Sequence, residues 1–88
     1  MASKYQNKIK THYKKLGYEV LKLHKTNTNG ITDLMCLKDG KAIFIEVKEM
    51  NDTLKELQKY RIDQLIKKGF IAGCVQDTKG VIYGNLTL

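Results

Sequence analysis

Two carboxylates and an amine stand in a pattern that could do chemistry. Asp33 precedes one apolar run, and Glu46 and Lys48 close a second run that begins at Ile43. Between the runs lies Asp39-Gly40, a strong signal for a two-residue type I′ hairpin turn. Such a turn sets Lys38 opposite Lys41, and the same register sets Asp33 opposite Glu46. Side chains alternate between the two faces of a strand, so Glu46 and Lys48 share a face with Asp33. Directly opposed residues sit ~4.5–5.5 Å apart at Cβ, where like charges repel. A sheet gains no stability from two opposed acids. A hard divalent cation between them removes the conflict, and Mg²⁺ takes one or two carboxylates with waters and phosphate oxygens completing its shell. Lys48, one step further on the same face, can hold a phosphate oxygen or help to position the attacking water. The bound metal would supply a hydroxide-like nucleophile and offset charge on the phosphate.

From spacing alone a second reading stays open. The hairpin could face solvent, with Asp33 ending a loop and Glu46–Lys48 forming a same-face ion pair worth at most ~1 kcal/mol. A helix further along bears on the choice. Leu54, Leu57, Ile62, Leu65 and Ile66 define its apolar side, and Gln58 lies four residues from both Leu54 and Ile62, on that same side. A glutamine facing a sheet needs hydrogen-bond partners. Carboxylates, a metal-bound water or a phosphate would provide them; a rim position bonded to solvent is the alternative.

The elements that must position these groups follow from periodicity and breakers. Ser3-Lys4-Tyr5-Gln6 fits a capping box. Tyr5, Ile9, His12, Tyr13 and Leu16 then recur at helical spacing, and Gly17 is a stop. Lys4, Lys8 and Lys15 gather on the opposite side of this helix. Tyr18 to Lys25 reads as a strand, Thr26 to Gly30 as a loop, Thr32 to Lys38 and Lys41 to Glu49 as the hairpin. Thr53-Leu54-Lys55-Glu56 repeats the capping-box pattern and opens the second helix, which ends near Lys68 with Gly69 as its cap. Phe70 to Gln76 is a fourth strand, followed by a turn at Lys79-Gly80 and a short fifth strand from Val81 to about Leu86. The order α-β-β-β-α-β-β predicts an α/β domain, a mixed sheet with helices packed against it.

In order and spacing, Gly30-Ile31-Thr32-Asp33, Ile45-Glu46-Val47-Lys48, Gln58 and Gly69 resemble the PD-(D/E)xK nuclease superfamily. More narrowly, the chain resembles the virus-type replication-repair nuclease (VRR-NUC) family in its compact stand-alone form, over nearly its whole length. The resemblance implies a restriction-endonuclease-like core and Mg²⁺- or Mn²⁺-dependent phosphodiester hydrolysis that leaves a 5′-phosphate and a 3′-hydroxyl. It makes Asp33 and Glu46 metal ligands, the Val47 carbonyl a third, Lys48 the catalytic lysine and Gln58 the helix glutamine. It also implies a homodimer acting on branched DNA such as four-way junctions. The sequence departs from the family pattern twice. Thr32 stands where proline is common before the metal-binding aspartate, which changes the stiffness of the loop. Gln6 stands where many members carry a glutamate on the first helix, which weakens the electrostatic contribution to metal binding there and bears on a second metal.

With 88 residues, the chain is expected to form one domain, residues 1–88. Such a chain buries only ~60–65% of its unfolded surface, so a partner subunit would help it. The formal net charge is +7. It is concentrated in residues 1–25, where seven lysines face one glutamate. A basic N-terminal third favours a polyanion, nucleic acid before an anionic membrane surface. Lys4, Lys8, Lys15 and Lys25 are the candidate contacts to DNA phosphates, gripping the backbone without reading sequence. No apolar run is long enough to span a bilayer, and the N-terminus lacks the apolar centre of a signal peptide, so a cytoplasmic protein without membrane partners is expected. Cys36 and Cys74 sit in apolar runs and read as buried thiols. His12 falls on the apolar side of the first helix and reads as a core residue; His24 lies near the loop. Two competing functions remain: a non-catalytic nucleic-acid-binding module of the same fold, supported by Gln6, and a nuclease subunit that needs a partner chain. RNA is not separated from DNA, because no feature reads a 2′-hydroxyl.

Overall fold

A computed structural model describes residues 3–24 and 26–88. The elements run α1 (Lys4–Lys15), β1 (Glu19–Lys22), β2 (Leu34–Lys38), β3 (Lys41–Lys48), α2 (Glu56–Lys67), β4 (Ile71–Gln76) and β5 (Gly80–Gly84). The five strands form one sheet in chain order, β1-β2-β3-β4-β5. β3 and β4 are parallel because α2 carries the chain back between them; the other pairs are antiparallel. The fold is the mixed α/β sheet that the order of elements predicts.

The hairpin turns at Asp39 and Gly40, both in the left-handed region with φ of 51° and 75°. This conformation matches the twist of the flanking strands and fixes their register. Lys38 pairs with Lys41, and Leu34 with Ile45. Alternation along β3 then divides the molecule into two layers. Ile43 and Ile45 enter a core with Ile9 and Tyr13 of α1, Leu34, Cys36, Val75 and Leu86. Phe44 packs on the other side, against the cluster of Leu54, Ile62, Ala72 and Cys74 under α2. Glu46 and Lys48 follow Phe44 at period two, so they stand on the α2 side.

Several boundaries differ from the sequence expectation. The strands are shorter at their ends: β1 stops at Lys22 and β2 begins at Leu34, although the Leu23 amide still donates to the Asp33 carbonyl at 2.7 Å beyond them. Lys25, expected at the end of β1, lies outside the described residues. The capping box at Thr53 does not form. Lys55 is the N-cap instead, and its amide donates to Gln58 Oε1 at 3.0 Å. Leu54 thus lies ahead of the helix, as a buried plug beneath it. Leu57 is not on the buried side: it is 44% exposed. The β4–β5 turn centres on Thr78, with φ of 69°, and Gly80 already pairs with Gln76. None of the helices among the described residues is long and apolar enough to cross a membrane.

Candidate active site

The site lies where the parallel strands β3 and β4 end, the usual position for ligands in open α/β sheets. β3 supplies Glu46 and Lys48, both buried although charged, at 4% and 6% exposure. Asp33 arrives one residue before β2 and is half-buried. Its Oδ2 accepts from the Val47 amide at 3.0 Å, which holds it against the end of β3. Lys48 Nζ is 3.5 Å from Glu46 Oε2 and 3.7 Å from Asp52 Oδ2. Gln58 Nε2 donates to Glu46 Oε2 at 3.0 Å. Because Gln58 Oε1 accepts from the Lys55 amide, its carboxamide is gripped at both ends and can present only N–H to Glu46.

The electrostatics of this cluster are unfavourable as it stands. Burial, and next the neighbouring Asp33 carboxylate, push Glu46 up to about 7, although Lys48 pulls the other way. Glu46 Oε1 is buried and has no hydrogen-bond partner. A carboxylate oxygen out of contact with water and without a donor is costly, and a cation between Glu46 and Asp33 would answer both conditions. Cys74 pairs with Glu46 across β3 and β4, and burial, then Glu46, raise its thiol to about 12. The carboxylates of Asp33 and Glu46 offer oxygens, the donor type a hard cation prefers. No group of three His, Cys, Asp or Glu side chains converges among the described residues. A cation here would take its remaining ligands from backbone, water or substrate.

The other candidates are distributed as follows. Gln6, in the first turn of α1, is buried, and its Oε1 is also without a partner. Among the described residues, Gln6 Oε1 and Glu46 Oε1 are the only buried side-chain oxygens or nitrogens in that state. Lys4, Lys8 and Lys15 are exposed and line a shallow concavity on the outer side of α1 with Asn7, Thr11 and His12. His12 is therefore not a core residue; it is half-buried, edge-on to Tyr13, and opens onto this basic surface. His24 is exposed at the loop.

Three residues near the site were not singled out by sequence. Asp52 reaches Lys48 from the β3–α2 loop, and its spacing of four residues from Lys48 was the available signal. Arg61, the one arginine in the chain, donates Nε to the Asn29 carbonyl at 2.8 Å. It latches to α2 the loop that leads into Asp33. Gly30 in that loop has φ of +79°, and a Cβ there would lie 2.8 Å from Leu57 Cγ, so loop and helix touch at a place only glycine fits. Gln76 is buried at the end of β4 beside Lys48. Its role depends on the parallel pairing of distant segments, which leaves no local signature.

The architecture is that of the restriction-endonuclease-like nucleases, a mixed sheet between two helices with the order α-β-β-β-α-β-β. The chain belongs to the VRR-NUC domain family, which matches residues 2–77, and is thus a nuclease domain. Its fold is similar to that of Hjc, a Holliday junction resolvase from the archaeal hyperthermophile Archaeoglobus fulgidus. The TM-score is 0.65 at 12% identity, over 94% of this chain and 74% of that one. No curated protein matches it in sequence.

Proposed function

We propose that residues 1–88 form one divalent-metal-dependent DNA endonuclease domain, with Asp33, Glu46 and the Val47 carbonyl as the metal ligands. The supporting observation is the Glu46 carboxylate: buried, beside a second acid, with one oxygen lacking any donor. Mg²⁺ or Mn²⁺ bound there would lower the pKa of a water and offset negative charge on the scissile phosphate. The protein's own groups do the rest. Lys48, already held between Glu46 and Asp52, presents its ammonium to a phosphate oxygen. Gln58 fixes the rotamer of Glu46. Gln6, buried with its Oε1 lacking a donor, would be a neutral acceptor for a water on such a metal. Lys4, Lys8 and Lys15, with Lys25, grip backbone phosphates.

The likeness to a junction resolvase supports branched DNA as the substrate and a homodimer as the working form. Two buried free cysteines suit a cytoplasmic setting. The neutral Gln6 favours a second reading, a non-catalytic DNA-binding module of the same fold. Cleavage of linear, flapped and four-way DNA with Mg²⁺, Mn²⁺ or chelator decides between them. The proposal expects cutting that needs metal, is strongest on the four-way substrate and is absent from Glu46→Ala and Lys48→Ala. Equal binding in Mg²⁺ and chelator with no cutting would select the module; cutting restored by a partner chain would select a dependent subunit.

A further inference from the structure

Lys48 can act on a phosphate only if its ammonium is aimed, and one of its two partners is poorly suited to aim it. Asp52 has a side chain that is 52% exposed, and an isolated ion pair of that kind is weak. Every residue from Glu49 to Thr53 is exposed, so apolar packing does not hold this loop. A hydrogen-bonded clamp does. Gln76 Nε2 faces three carbonyl oxygens of the loop: Glu49 at 2.9 Å, Met50 at 3.2 Å and Asp52 at 2.6 Å. Three converging acceptors require the amide nitrogen, not its oxygen, at this point. The clamp starts from a fixed base, since Gln76 is 4% exposed and pairs with Lys48 in the parallel register.

We infer that Gln76 is a positioning residue for the cleavage reaction: it holds the 49–52 loop so that Asp52 aims the ammonium of Lys48. The inference rests on the proposed nuclease reading. Gln76 touches neither substrate nor metal; it acts through Asp52. Its loss therefore changes the chemical step and leaves the lysine grip of α1 on DNA intact.

The test uses the full chain, with Gln76→Met, which keeps length and removes the donor, Asp52→Asn, and the double variant. Gln76→Asn, which retains the amide but withdraws it by one methylene, serves if the methionine variant does not fold. The expected result is a kcat lowered roughly 10- to 100-fold in each single variant, the range for a displaced catalytic group, with KM within about threefold of the parent. The double variant should be no slower than the slower single variant, because both changes break one linkage. Amide hydrogen exchange, measured in chelator, should quicken at Asp52 and Thr53, whose amides are bonded within the loop, and not in α2. An unchanged kcat, fully additive losses, or unchanged exchange at these amides would overturn the inference. A parent protein that cuts no DNA with either metal removes the nuclease reading instead, and the exchange comparison alone then decides whether the clamp exists.

Discussion

If the acid pair is built for a cation, the metal-free protein should be unstable because of it, and neutralising Glu46 should help the fold while ending activity. The perturbation is Glu46→Gln. An amide in place of the carboxylate keeps the acceptor for Gln58 and puts an NH₂ group where Oε1 now has no partner. The folded protein raises Glu46 from 4.5 to about 7, by burial first and by Asp33 second. A raised folded-state pKa makes the native state hold its proton longer than the unfolded chain does. Stability from this group is therefore full below about pH 4.5 and is lost as pH rises through about 7. The gap amounts to ~3 kcal/mol at pH 8, an upper figure in order of magnitude. Glu46 is almost wholly buried, so solvent screening takes little from it.

Glutamine does not titrate, so comparing the two proteins at two pH values cancels any fixed difference in packing. In chelator, Glu46→Gln should gain on the parent by ~2–3 kcal/mol between pH 5 and pH 8. For a domain of this size that is roughly 10 °C or more in Tm. Urea unfolding followed by far-ultraviolet circular dichroism measures it. Adding Mg²⁺ at about 100 times its Kd should return ~2.7 kcal/mol to the parent and nothing comparable to the variant. A stability difference that is the same at pH 5 and pH 8 would refute the account of Glu46.

Other outcomes follow from single contacts. Lys48→Met should lower kcat at least ~100-fold by removing the charge at the phosphate; a loss below tenfold in a steady-state assay would exclude that role. Gln58→Leu removes both the cap on the Lys55 amide and the donor to Glu46, and should cost ~1–2 kcal/mol in denaturant unfolding. Replacing Lys4, Lys8 and Lys15 together by glutamine should flatten the salt dependence of DNA binding, reducing the slope of log K against log salt by ~2.7, about 0.9 for each lost phosphate contact. An unchanged slope in filter binding would place the DNA elsewhere. Gly30→Ala should destabilise by ~1–3 kcal/mol, through strain at positive φ and the Leu57 contact, as read by thermal unfolding.

The legible parts of this protein are those fixed by local chemistry. Asp39-Gly40 dictates a turn, the turn dictates a register, and period two then puts Glu46 and Lys48 on one side of β3. Each step needs only neighbours in sequence, so Asp33, Glu46 and Lys48 are readable before any fold is drawn. Helix α1 is equally local: the Ser3 hydroxyl accepts from the Gln6 amide as its cap, and its basic and apolar sides separate at helical spacing. What fails is also physical. Thr53 loses the N-cap position to Lys55 because Gln58 closes a box with the Lys55 amide while also reaching Glu46, and the second bond cannot be seen along the helix. His12 reads as core by periodicity, but a helix of this length lies on the sheet along a narrow stripe and leaves its flank open. Gln76 and Arg61 are silent for a stronger reason. Both act by donating to backbone carbonyls of loops more than twenty residues away, at spacings of 24 to 32. A carbonyl is present at every residue, so its sequence carries no mark of having been chosen. Arg61 and Gln76 tie down the loops that lead to Asp33 and carry Asp52, and on the proposed nuclease reading the rigidity of those loops is what catalytic precision would draw on.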